Sequence, residues 1–277
     1  RSTYLIDRAT FVACHQFEFM EKLDVLALAR PGATFLLNSP YGPDEVWDRL
    51  PGEAQRTIVE RRLRITRGLI EVLHEFRHAF SIITKSSGVE RDIDLLAPLA
   101  ADNLAAVYVS VPTLDAALAR IMEPRAASPE RRIKTIETLA RAGIPVGVSV
   151  SPMIPFINEP ELERVLERAR EAGATSAFAT VLRLPWEVNP LFQQWLDTHF
   201  PERAARVMAR VHEMRGGRDN DPRYQTRMTG QGVWAQLLAQ RFKKATQRLG
   251  LRTERLPLDL SKFRRASPPP SAQASLF

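Results

Sequence analysis

An α/β architecture with a parallel sheet is predicted for the middle of this 277-residue chain, and three observations predict it. Short β-branched runs alternate with amphipathic stretches of a dozen or more residues, which is the rhythm of βα units. Two of those stretches close on Ala142-Gly143 and Ala172-Gly173, where glycine supplies a left-handed helix cap. A third signal is Ser128-Pro129-Glu130, a helix start with serine capping and proline in the first turn. Right-handed βα crossovers of this kind build a parallel sheet, open or curled into a barrel. A strand-helix-strand segment is expected before it and a polar tail after it.

Taken in order, Phe11-Val12-Ala13-Cys14 reads as a strand, residues 17–29 as an amphipathic helix stopped at Arg30-Pro31-Gly32, and Ala33 to Asn38 as a second strand. Ser39-Pro40-Tyr41-Gly42-Pro43 then turns the chain. One long helical stretch is expected from Glu53 to Phe76. The strands of the βα region are predicted at Ala79–Thr84, Ala106–Val111, Val146–Val150 and Ala177–Leu182. Helices between them are predicted at residues 90–101, 128–142 and 160–172. Beyond Leu256 the chain thins out into Ser267-Pro268-Pro269-Pro270-Ser271, a proline-rich tail expected to be disordered. There is no internal repeat.

With 44% apolar and 26% charged residues the composition is that of a globular protein. No apolar run approaches the roughly 18 residues that span a bilayer, and the first residues lack the pattern of a signal peptide. A soluble cytoplasmic protein is therefore expected. The opening on Arg1 rather than Met points to a true beginning further upstream. The single cysteine, Cys14, excludes an internal disulfide and any cysteine-only metal cage. Residues 1–64 carry 9 basic and 9 acidic side chains and residues 241–277 carry 9 and 2, so the net charge of +7 sits in the last 37 residues. The stretch from Arg241-Phe242-Lys243-Lys244 to Lys262-Phe263-Arg264-Arg265 is either a site for nucleic acid or another polyanion, or a solvated helix face.

Active sites of parallel βα folds collect at the C-terminal ends of the strands. This rule nominates Lys85-Ser86-Ser87, Ser110, Pro152, and Arg183 with Glu187. Lys85 and Arg183 would suit a carboxylate or phosphate, and Ser110 a ribose or carboxylate. Glu123-Pro124-Arg125 and Arg131-Arg132 crowd the loop after Ser110, where they either fix the loop by ion pairing or bind an anion. His74-Glu75-Phe76-Arg77-His78 spells the zinc-protease pattern, but it falls where a helix ends and no third ligand follows, which favours two helix-terminal histidines. Cys14-His15 is a nucleophile or ligand pair on one reading and a buried hydrophobe on the other. The terminal Gln273-Ala274-Ser275-Leu276-Phe277 ends a polar tail in two large apolar residues, as short docking motifs do.

Two resemblances meet in this chain. Phe11 to Gln16, Pro31 to Tyr41 and Asp44 to Pro51 look like the gamma domain of pyruvate:ferredoxin (flavodoxin) oxidoreductase, over residues 1–64. That domain is a structural and assembly part of a larger enzyme, whose thiamine diphosphate and iron-sulfur clusters are held chiefly elsewhere. From about Arg64 to residue 255, Thr84-Lys85-Ser86-Ser87, Val107 to Val111, Glu123 to Pro129, Gly143 to Val148, Pro152-Met153-Ile154-Pro155 and Arg215-Gly216-Gly217-Arg218-Asp219 are similar to radical S-adenosylmethionine proteins related to spore photoproduct lyase. The resemblance implies a partial parallel (β/α) barrel holding S-adenosylmethionine against a four-iron four-sulfur cluster, with Lys85, Ser110, Pro152 and Arg183 lining the cofactor mouth. It also implies three thiolates in a C-x-x-x-C-x-x-C loop, and here the chain departs from the family, for it offers Cys14 alone.

The expectation is thus a chimera joined near Val59 to Arg64, with a truncated barrel over 65–255, a tail over 256–277 and no complete cluster site. The alternatives are a non-catalytic adenosyl- or nucleic-acid-binding protein and a 2-oxoacid oxidoreductase fragment. The terminal pentapeptide is similar to the bacterial sliding-clamp motif, which implies a clamp contact through Gln273, Leu276 and Phe277. With the basic 241–265 stretch this implies work near DNA, in the manner of a repair enzyme.

Overall fold

The computed structural model describes residues 8–14, 16–37, 46–60, 67–224 and 226–264. His15, the turn at Ser39–Pro43, Arg61 to Arg64 of the expected junction, and the tail with Gln273, Leu276 and Phe277 lie outside the described residues. The chain divides into two compact units.

The first unit comprises Arg1–Phe80, Arg91–Leu104 and Leu258–Phe277. Its strand β1 (Ala9–Cys14) pairs in parallel with β2 (Ala29–Leu37), in register from Phe11↔Thr34 to Cys14↔Leu37. Between them the expected helix over 17–29 is reduced to a single turn, α1 (Phe19–Lys22). Leu23 leaves the helical region at φ −136°, ψ 144°, and the turns that follow put Leu26 into the core at 1% exposure while Leu23 and Leu28 face solvent. The strand then starts at Ala29, four residues before the predicted Ala33. Arg30-Pro31-Gly32, expected to stop a helix, falls instead in a register shift between Ala9↔Ala29 and Phe11↔Thr34. Proline has no N–H for the ladder, so an irregularity is where it is tolerated.

The core of this unit gathers Cys14, Phe17, Met20, Leu26, Phe35, Leu50 and Ile58. Helices α2 (Val46–Arg49), α3 (Gly52–Glu60), α4 (Arg67–Glu75) and α5 (Ile93–Ala101) complete it. Of the helical stretch expected over 53–76, α3 and α4 cover the described parts, on either side of residues 61–66, which are not described. Helix α4 ends at Glu75, and Arg77 takes a left-handed φ of 50°. His74 and His78 are therefore not successive turns of one helix face, and the imidazole of His78 packs edge-on against Phe263. Asp102 accepts from Arg77 at 2.7 Å and from Lys262 at 3.2 Å, and the Arg264 N–H donates to the Phe76 carbonyl at 2.8 Å. Residues 258–264 are thereby pinned within the unit.

The second unit comprises Ser81–Glu90 and Ala105–Pro257. A four-stranded sheet, ordered β3 (Phe80–Thr84), β4 (Ala105–Ser110), β5 (Val146–Met153), β6 (Ser176–Val181), runs parallel across β4, β5 and β6. All six residues of β4 and the first five of β5 are buried, which explains their largely apolar spelling, since a parallel sheet is covered on both faces. The four strands lie within one residue of their predicted starts.

Helix α6 (Ala116–Met122) begins at Asp115, whose carboxylate accepts from Ala117 and Leu118 N–H. Helix α7 (Pro129–Arg141) packs Ile133, Ile136 and Leu139 inward, and the Ser128 hydroxyl accepts from the Arg131 N–H as expected. Helix α8 (Leu162–Glu171) buries Val165, Leu166 and Ala169. After α7 and α8 the chain reverses at Gly143 and Gly173, with φ of 75° and 104°. Helices α9 (Val188–His199), α10 (Pro201–Met214) and α11 (Gly232–Leu249), like α6, have no counterpart among the predicted elements. Inside the sheet Gly147 answers to close approach: a Cβ there would overlap the Tyr108 ring and the Ser176 hydroxyl. No described helix is long and apolar enough to cross a membrane.

Candidate functional site at the C-terminal edge of the sheet

The C-terminal ends of β3 to β6 carry two polar networks. The first is organised by Arg132 of α7, whose side chain is 2% exposed. Its Nε donates to the Ala127 carbonyl at 2.7 Å, Nη1 to the Ser110 carbonyl at 2.9 Å, and Nη2 to Glu123 Oε2 at 2.6 Å. The other oxygen of Glu123 meets Lys85 Nζ at 2.6 Å. The carboxylate thus joins the loop after β3 to the end of β4, and it is the ion-paired form of the Glu123 cluster that the structure shows. Lys85 remains nearly half exposed, whereas Ser110 is buried and its hydroxyl donates to the Ser151 carbonyl at 3.3 Å. Arg131, adjacent in sequence, turns elsewhere and grips Glu90 through both guanidinium nitrogens at 2.6 and 2.8 Å. That fork holds the Glu90 carboxyl below the ordinary glutamate range, against the opposing effect of partial burial.

Pro152 is positioned by Asn158, a fully buried side chain that the sequence did not nominate. Its amide donates to the carbonyls of Pro112 and Pro152, both at 2.8 Å, and its carbonyl accepts from the Ile154 N–H at 2.7 Å. Glu161 does similar work beside it, accepting from the Thr113 hydroxyl at 2.5 Å and the Leu114 N–H at 2.9 Å. Neither residue carried a sequence signal, because a buried amide and an exposed one are spelled alike.

Arg183 belongs to the second network, after β6. Its Nη1 lies 3.7 Å from the Met228 sulfur. Arg215, 1% exposed, donates through Nη1 to the Thr226 and Arg227 carbonyls and through Nη2 to those of Val181 and Leu182. Glu187 is exposed at the start of α9. Lys85, Ser110 and Pro152 are therefore brought together, and Arg183 stands in a neighbouring network built on an arginine noticed only within the Arg215-Gly216-Gly217 motif.

Residues 48–169 match the Radical SAM superfamily. The match begins at Asp48, earlier than the boundary near Arg64 expected from the sequence, and takes in β3, β4, β5, α7 and most of α8. A 65-residue stretch is 57% identical to pyruvate-flavodoxin oxidoreductase of Trichormus variabilis, covering 24% of this chain and 6% of that protein. The corresponding enzyme of Rhodospirillum rubrum is 55% identical over 65 residues, with the same coverage. A 149-residue stretch is 30% identical to an uncharacterized protein of Mycobacterium bovis, covering 53% of this chain and 44% of that protein. The chain spans less than half the length of these relatives, and it carries both similarities.

The superfamily implies S-adenosylmethionine and a four-iron four-sulfur cluster, and the donor set here does not fit the cluster. Cys14 is the chain's one cysteine, lies in the first unit at 3% exposure, and its thiol is engaged with the Gln16 carbonyl at 3.0 Å. Burial pushes that thiol above its ordinary pKa, opposite to what a ligand thiolate requires. Among the described residues no group of three His, Cys, Asp or Glu side chains could hold a metal ion.

Proposed function

We propose that this chain is the downstream portion of a radical S-adenosylmethionine enzyme related to spore photoproduct lyase, joined to an oxidoreductase gamma-domain fragment and catalytically incomplete. One observation carries the reading: three irons of the cluster each need a soft anionic ligand, and a single buried thiol cannot supply three. Support comes also from the residues proposed for the cofactor mouth, since Lys85, Ser110 and Pro152 are tied together by Glu123, Arg132 and Asn158. Anaerobic reconstitution of the full chain with iron and sulfide tests it. No protein-bound cluster absorption is expected in the visible range, and one cluster per chain would overturn the proposal. Calorimetry with S-adenosylmethionine then separates a mute remnant from a non-catalytic adenosyl-binding protein, for which Lys85→Ala should weaken the titrated affinity.

The proposal extends to a nucleic-acid setting, supported by the distribution of charge along α11. Arg241 is paired with Glu159 and Glu163, and Arg248 with Glu167, while Lys243 and Lys244 are exposed. DNA contact would fall to those lysines, so Lys243→Gln with Lys244→Gln should abolish any mobility shift of duplex DNA. The clamp contact proposed for Gln273, Leu276 and Phe277 is tested by a pull-down with purified sliding clamp, which deletion of Leu276 and Phe277 should abolish.

A further inference from the structure

We propose that the cavity beside Arg215 is a binding site for a small oxyanion, the phosphate or carboxylate group of a compact ligand. The comparison of Arg215 with Arg132 carries the inference. Both guanidiniums are almost wholly buried, and burying a cation is costly unless a counter-charge accompanies it. Arg132 has that counter-charge in Glu123, and its Nε, Nη1 and Nη2 all donate. Among the described residues Arg215 meets only main-chain carbonyls, and its Nε has no hydrogen-bond partner.

The surroundings deepen the deficit. Asp221 is the acidic neighbour that acts on Arg215, but its two oxygens accept from the Arg223 guanidinium at 2.9 and 3.0 Å and from the Thr226 hydroxyl at 2.6 Å. Arg183 adds positive charge nearby, and its own Nε is likewise buried without a partner among the described residues. The cavity measures about 360 Å³ and is lined by Arg215, Gly216, Arg218, Asp221, Pro222 and Arg223, three cations against one committed carboxylate. An oxyanion seated there meets the exposed Arg218 on the rim and lies beside the buried Arg215, whose charge has no carboxylate partner among the described residues. Binding there needs no cluster, and the cavity lining includes none of Lys85, Ser110, Pro152 and Arg183.

The test uses the full chain, titrated calorimetrically with inorganic phosphate and, separately, with acetate, at an ionic strength held constant with chloride. Saturable one-site binding of at least one anion is expected, and whichever binds more tightly names the ligand group. Arg215 holds the loops after β6 together, so the diagnostic change is Arg218→Gln on the rim, which should weaken binding about tenfold. Lys134→Gln, on the surface of α7, should leave it unchanged. Absence of saturable binding by either anion, an affinity indifferent to Arg218→Gln, or loss of binding in the Lys134 variant would each overturn the proposal.

Discussion

Glu123 accepts from Arg132 Nη2 at 2.6 Å, and this pair, 11% and 2% exposed, is the buried ion pair on which the mouth of the sheet is built. Removing one member of such a pair leaves the other charge buried and unopposed. Glu123→Gln is therefore expected to destabilise the chain by about 3 to 5 kcal/mol in chemical denaturation. Lys85 meets the same carboxylate from a side chain 47% exposed, so Lys85→Ala should cost under about 1 kcal/mol. Equal costs for the two variants would show that Arg132 is not the partner that matters.

Asn158 closes three backbone groups at once, from a side chain that is itself fully buried. Asn158→Leu is close in size, so it isolates the loss of hydrogen bonds from the loss of volume. The carbonyls of Pro112 and Pro152 and the Ile154 N–H are left short of a partner. A loss of about 2 to 4 kcal/mol is expected from urea midpoints, at an unchanged slope. A neutral result would mean that the loop ending β5 holds its shape without the amide.

The βα rhythm was legible because the central strands β4 and β5 are buried and spell themselves as largely apolar runs, while glycine and the Ser128-Pro129 pair mark the helix ends. The first unit was less legible. Residues 17–29 have an amphipathic helical spacing, but Leu26 reaches the core from a turn, and a local pattern cannot show that tertiary packing has overridden it. At the candidate site, Lys85, Ser110 and Pro152 were nominated by the rule that strand ends carry chemistry, and the structure places each at or just past the end of its strand. Asn158, Glu161 and the uncompensated charge of Arg215 were not, since burial and pairing are properties of the fold and leave no mark in spacing.

Acid should loosen the second unit through Glu90. Its pKa is lowered in the folded chain by the fork from Arg131. A carboxylate of this kind stabilises the fold at pH above its unfolded value, about 4.3, and the contribution is lost as pH falls from there through the lowered folded value. Melting temperature should accordingly decline below about pH 4, and Glu90→Gln should flatten that decline while lowering stability at neutral pH. A variant whose acid limb matches the wild type would remove Glu90 from the account. Because Arg131 is 41% exposed, added salt should shrink the effect.

Cys14 offers a direct check on the reading that no thiolate is poised to bind metal. Its sulfur sits among Phe17, Met20, Leu26 and Phe35, donates to the Gln16 carbonyl, and titrates above the ordinary thiol value because burial disfavours the anion. Only the thiolate attacks a disulfide reagent, so labelling of the folded chain at mildly alkaline pH should be far slower than in concentrated urea. The folded rate should also rise with pH across the range in which a free thiol is already saturating. Equal rates with and without urea would place the thiol in water as an available ligand, and would weaken the case that the fold itself withholds this chain's single cysteine.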